Sequence, residues 1–106
     1  MNLGVVISMF DEHELVLQSI QNIKKNFQSA AIIIVHSFDK ETESLKKIKE
    51  LCNYISLDNI AINYGIPRME IPARCITRNF STGFKKLYEI GKYDLIIALT
   101  GDTLIE

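Results

Sequence analysis

Short apolar runs alternate with longer stretches of mixed apolar and charged residues along this chain. Leu3-Gly4-Val5-Val6-Ile7-Ser8-Met9 is apolar and β-branched, the composition of a buried strand. Asp11 and Glu14, three apart, make a capping-box pattern that starts a helix, and Val16, Ile20, Ile23 and Phe27 then recur at helical spacing. Ala30 to Val35 reads as a second strand. Asp39 is predicted to cap a second helix, with Glu41 and Glu43 in its first turn and Leu45, Ile48, Leu51 and Cys52 as its buried stripe. Tyr54 to Leu57 gives a third, weaker strand. Asp58 to Pro72 holds Asn59, Asn63, Gly65, Pro67 and Pro72 and reads as an irregular connection of about fifteen residues, a length usually reserved for functional or mobile loops. A third helix is predicted from Ala73 to Ile90, with Ile76, Phe80, Gly83, Leu87 and Ile90 inward and Gly91 ending it. Tyr93 to Leu99 lacks polar alternation and therefore reads as a strand buried on both faces.

Strands alternating with helices predict an α/β fold, a three-layer α/β/α arrangement around a mainly parallel sheet. The 106 residues suit a single domain spanning 1–106. An apolar share of 47%, a charged share of 24% and a net charge of −1 are those of a soluble globular chain, and they exclude the basic excess of a nucleic-acid surface. No apolar run approaches the roughly 18–20 residues of a membrane span. The N-terminus carries no basic region followed by a signal-type apolar stretch, so the expected location is cytoplasmic, with Cys52 and Cys75 as reduced thiols.

In a parallel sheet the functional groups come from loops leaving the carboxyl ends of strands. Three loops qualify: Ser8 to Glu12, His36 to Asp39, and Thr100 to Thr103. None has the glycine pattern of a dinucleotide fingerprint or a P-loop. They offer hydroxyls, carboxylates and one aromatic ring, a set suited to a nucleoside carrying a metal-bridged diphosphate. Asp102, past a strand end, is the candidate ligand for a hard cation such as Mg²⁺, which takes oxygen donors; its plain alternative is a solvated turn residue. Other positions also carry two readings: Asp39 as helix cap or nucleotide contact, Ser37 as turn former or ribose ligand, Phe10 as base-stacking ring or core packing. His36 reads as a surface or hydrogen-bonded residue, and His13 as a surface one. Arg74, Arg78 and Lys85 form a solvated basic stripe, in which Arg78 serves a diphosphate only if it stands in the first turn of its helix.

These residues carry a resemblance. Ile7-Ser8-Met9-Phe10-Asp11-Glu12 resembles the Ile-Pro-x-Tyr-Asn-Glu stretch after the first strand of family 2 glycosyltransferases and their GT-A relatives. Ile33 to Thr42, with His36-Ser37-Phe38-Asp39 inside it, is similar to their Val-Val-Asp-Asp-Gly-Ser-x-Asp-x-Thr segment. Arg78-Asn79 followed by Gly83 resembles their Arg-Asn-x-Gly region, and Leu99-Thr100-Gly101-Asp102 stands where they have an Asp-x-Asp metal motif. Ser8, Phe10 and Asp11 replace the family's proline, tyrosine and asparagine; His36 and Ser37 replace its two base- and ribose-binding aspartates; Thr100 replaces the first metal-motif aspartate.

The resemblance implies a nucleotide-diphospho-sugar transferase-like fold, a partial GT-A domain. Ser8, Phe10, Glu12, Ser37, Asp39, Arg78 and Asp102 are then the nucleotide-binding residues, and Asp102 the ligand for Mg²⁺ or Mn²⁺. The partner is a nucleotide-diphospho-sugar whose sugar passes to an acceptor hydroxyl. The family's acceptor half and catalytic base lie beyond the metal motif, so no catalytic residue is assigned and the chain is expected to be an excerpt of a longer protein. Apolar sheet edges that the rest should cover predict a homo-oligomer. The alternative is a small α/β binding or interaction module without catalysis. A receiver-like phosphoacceptor domain fits the topology but lacks the paired acids after the first strand.

Overall fold

A computed structural model of the protein describes residues 2–9, 12–36, 42–56 and 71–100, with the side chains of Ser56 and of 71–75 apart. Among the described residues, four strands, β1 (Leu3–Met9), β2 (Ala31–His36), β3 (Asn53–Ser56) and β4 (Leu95–Thr100), alternate with three helices, α1 (His13–Asn26), α2 (Glu43–Leu51) and α3 (Ile71–Ile90). The strands form one sheet in the order β3-β2-β1-β4, and every pairing is parallel.

Pleating sends alternate side chains to opposite faces. Leu3, Val5, Ile7 and Met9 of β1 join Ile32 and Ile34 of β2 against Val16, Ile20 and Ile23 of α1 and Leu45 and Ile48 of α2. Val6, Ile33 and Val35 face the other way, against Leu87 with Phe80 and Phe84 of α3. Among the described residues, two helices cover one face of the sheet and one covers the other, the three-layer α/β/α arrangement. On this burial the apolar stripes rest: Ile20, Leu45, Ile48 and Leu87 are sealed from solvent, each contributing about 1.5–3 kcal/mol.

Gly83 sets the spacing of the second layer. A Cβ there would lie 3.2 Å from Val6 Cγ2 and 3.3 Å from Val6 Cβ, and closer still to Val6 Cγ1, so only a glycine lets α3 settle this near β1.

Several boundaries differ from those the pattern predicts. Among the described residues β4 pairs on one side only, with β1; Ile97 and Leu99 pack toward α1 and α2 and Ile96 toward α3, yet the strand is exposed or half-buried along its length rather than buried on both faces as expected. The cap of α2 is Thr42, whose Oγ1 accepts from Leu45 N at 3.1 Å; Asp39, the expected cap, lies outside the described residues. The cap position of α1 is Glu12, with no side-chain cap hydrogen bond, so the capping box does not form around it. Phe27 follows α1 as its C-cap, its N–H donating to Ile23 O, and is 45% exposed rather than core. α3 begins at Ile71, two residues before the expected start, and takes Pro72 into its first turn, where a missing N–H breaks no helical bond. Ile90, in its last turn, is 44% exposed rather than inward.

Candidate functional site

All four strands point the same way, so their carboxyl ends share one rim. Register fixes what stands there: Ser8 is opposite Val35 on one side and Thr100 on the other, Met9 is opposite His36, and His36 is opposite Ser56. From β1 the chain builds outward through β2 to β3, then returns to place β4 on the opposite side of β1. The topological switch point is therefore between β1 and β4, the position where doubly wound sheets open a ligand crevice.

Beside that switch point, on the α3 face, Ser8 and Asn79 are fully buried. Asn79 Nδ2 donates to Ser8 Oγ at 2.9 Å and reaches Val35 O at 3.5 Å, so one amide ties α3 to β1 and β2. Ser8 is thus a structural acceptor beneath the rim as well as a rim residue. Thr100 is the last residue of β4 and half-buried. Arg78, beside Asn79, is half-buried with its Nε shielded from solvent. It stands seven residues into α3, in the third turn, so the first-turn placement needed for helix-assisted binding of a diphosphate is not met. Lys85 is exposed, as expected of a solvated stripe.

The opposite face of the rim holds a group the pattern did not reveal. His36, the last residue of β2 rather than the first of a loop, is 0% exposed, and His13, expected at the surface, is 3% exposed. His13 Nε2 and His36 Nε2 lie 3.3 Å apart, with the rings edge-on at 80°. His13 Nδ1 meets Thr42 Oγ1 at 2.7 Å, and His36 Nδ1 meets the Tyr54 hydroxyl. Lys49 Nζ sits 4.9 Å over the Tyr54 ring, a cation–π contact. Thr42, His13, His36 and Tyr54 thus form a chain of polar contacts running from the α2 cap to β3. The two hydroxyls either donate or accept, so protons can order along it in either direction. His13 is read as surface because it stands in the first turn of an amphipathic helix. Its burial follows from a tertiary contact with β2 that no local period encodes.

Between the first turns of α1 and α2 lies a hollow of about 350 Å³, lined by Glu12, His13, Glu14, Leu15, Thr42, Glu43 and Ser44. Two helix N-termini bring partial positive charge to it. Three carboxylates, Glu12, Glu14 and Glu43, surround it and offset that charge, so the hollow favours cations over free anions.

Among the predicted site residues, the structure brings Ser8, Glu12 and Arg78 to the rim or the layers beneath it. Phe10, Ser37, Asp39 and Asp102 lie outside the described residues, as does Gly101. Among the described residues, no group of three or more His, Cys, Asp or Glu side chains is set to hold a metal ion. No described helix is long and apolar enough to cross a membrane. Cys52 is a free, half-buried thiol at the end of α2, and burial pushes its pKa up to about 12, against a smaller opposing pull from Lys24. Comparison with protein families, characterised proteins and solved structures finds no match to this chain.

Proposed function

We propose that the chain is the nucleotide-diphospho-sugar-binding part of a GT-A-like glycosyltransferase, which transfers a sugar from an activated donor to an acceptor hydroxyl. The observation that supports this is the strand order. With β1 central and the switch point between β1 and β4, the segments that follow β1, β2 and β4 all leave the sheet from the same rim. Those segments carry Phe10, Ser37, Asp39 and Asp102, the residues that the family resemblance makes nucleoside and metal contacts. In this reading Phe10, Ser37 and Asp39 hold the nucleoside, and Asp102 holds Mg²⁺ or Mn²⁺ on the diphosphate. The cation offsets charge that develops on the departing diphosphate. With Thr100 in place of a second carboxylate, binding of donor and metal is weak.

Calorimetry with UDP and GDP, with and without Mn²⁺, tests the reading. Heat that requires Mn²⁺ and disappears in Asp102→Ala supports it. No heat with either nucleotide, or heat unchanged by Asp102→Ala, overturns it.

A second reading, a binding module without catalysis, draws on the burial of His36. The family's base-binding acid has here become a sealed imidazole bonded to its neighbours. That reading gains if the chain binds neither nucleotide.

A further inference from the structure

We propose that His13 and His36 form a binding site for a divalent transition-metal ion, with Zn²⁺ as the best fit, separate from the cation expected at Asp102. The two Nε2 atoms lie 3.3 Å apart, a long hydrogen bond between the rings. That separation equals the edge of a tetrahedron around Zn²⁺, about 3.3–3.4 Å for Zn–N distances of about 2.0–2.1 Å.

The outer partners fit the same assignment. Metal-bound imidazoles hold their second ring nitrogen on an oxygen, which fixes the tautomer and raises the basicity of the ligating nitrogen. Here both Nδ1 atoms are on hydroxyls, Thr42 Oγ1 for His13 and the Tyr54 oxygen for His36. With both protons on Nδ1 and donated to these oxygens, both Nε2 lone pairs are directed toward the gap between the rings. A cation fills that gap in place of the shared proton. No proton is lost in the exchange: one imidazole moves its proton from Nε2 to Nδ1, and the hydroxyl opposite turns from donor to acceptor. Thr42 Oγ1 already accepts from Leu45 N, and a hydroxyl oxygen has a second lone pair for His13.

The site has a way in. His13 and Thr42 line the hollow between α1 and α2, where Glu12, Glu14 and Glu43 draw cations toward the ring. Among the described residues the two imidazoles are the ligands, a pair that leaves further coordination positions to other donors. An ion there cross-links α1 to β2 and braces the rim from the face opposite Asn79.

The test is titration of the chelator-treated full chain with Zn²⁺, followed by calorimetry and melting temperature, with Co²⁺ as a visible-absorption reporter. One Zn²⁺ per chain is expected, with a raised melting temperature and the d–d absorption of tetrahedral Co²⁺. Binding should be lost in His13→Gln and in His36→Gln and fall about 10–100-fold in Tyr54→Phe. It should be unchanged in Asp102→Ala and in Cys52→Ser, which separates this site from the donor-site cation and from the thiol. No binding by the wild type, or full binding by either histidine variant, overturns the proposal. X-ray absorption of the Zn²⁺-loaded wild type needs no variant to fold: two imidazole scatterers support the assignment, and fewer than two overturn it.

Discussion

Gly83→Ala is the substitution that probes the packing of this fold most directly. The new methyl would lie 3.2 Å from Val6 Cγ2 and 3.3 Å from Val6 Cβ, with Cγ1 nearer still. Carbon atoms pack at about 3.5–4.0 Å. Val6 is sealed, and a β-branched side chain on a strand has little rotamer freedom with which to yield. So α3 must retreat from β1 by about 1 Å or more. Overpacking of this kind costs about 1–3 kcal/mol. The retreat also stretches the Asn79–Ser8 bond, now 2.9 Å, past hydrogen-bond range, leaving two buried polar groups at a cost of about 1–3 kcal/mol. Helix propensity returns only about 1 kcal/mol on replacing glycine with alanine. The net loss is about 3 kcal/mol, or a melting temperature lower by about 10–20 °C for a domain of this size. Urea unfolding followed by circular dichroism measures it. Val6→Ala removes the colliding methyls, so the double variant should recover a coupling energy of about 1–3 kcal/mol. A neutral or stabilised Gly83→Ala, or strict additivity in the double variant, would show that α3 does not touch β1 at this point.

Further outcomes follow from the structure. Thr42→Ala removes both the α2 cap and the partner of His13 Nδ1, and should cost about 1–2 kcal/mol in metal-free buffer; Thr42→Ser, which keeps the hydroxyl, should restore most of it in the same urea titration. With Cys75 replaced by serine, Cys52 should resist alkylation in the native state and react freely in denaturant. Because its folded pKa is raised from 9.0 to about 12, its contribution to stability is fully present below pH 9 and lost as pH rises through 12, which unfolding at stepped alkaline pH will check. The open edge of β4, with Leu95 46% exposed, should drive self-association, and sedimentation velocity showing a monomer at every concentration would refute that.

The elements were legible in the sequence because each buries one periodic stripe. Val16, Ile20 and Ile23 recur at helical spacing and are buried together, and so do Leu45 and Ile48. What the pattern could not supply was order in space. β1 and β4 are equally apolar in sequence, yet one is central and the other an edge, because the return through α3 sets which neighbours each receives. The candidate site divides the same way. Ser8 at a strand end was readable from position alone. Asn79 falls within a recognisable motif, yet its role as the amide tying α3 to β1 depends on the close approach at Gly83. The two histidines are 23 positions apart and meet only because α1 folds back over β2. Side chains such as these look solvated in any local window.

The partner of β1 on its open side is drawn from the far end of the chain, Leu3 pairing with Leu95 and Ser8 with Thr100. During synthesis, β1, β2 and β3 with their two helices can assemble while the residues of β4 are still inside the ribosome, since chains fold as they emerge. One flank of the N-terminal strand stays unzipped until that last segment arrives, and pairings this distant in sequence are slow to form. The β1–β4 side of the rim, on which the proposed donor site rests, is therefore completed only once β4 has been made.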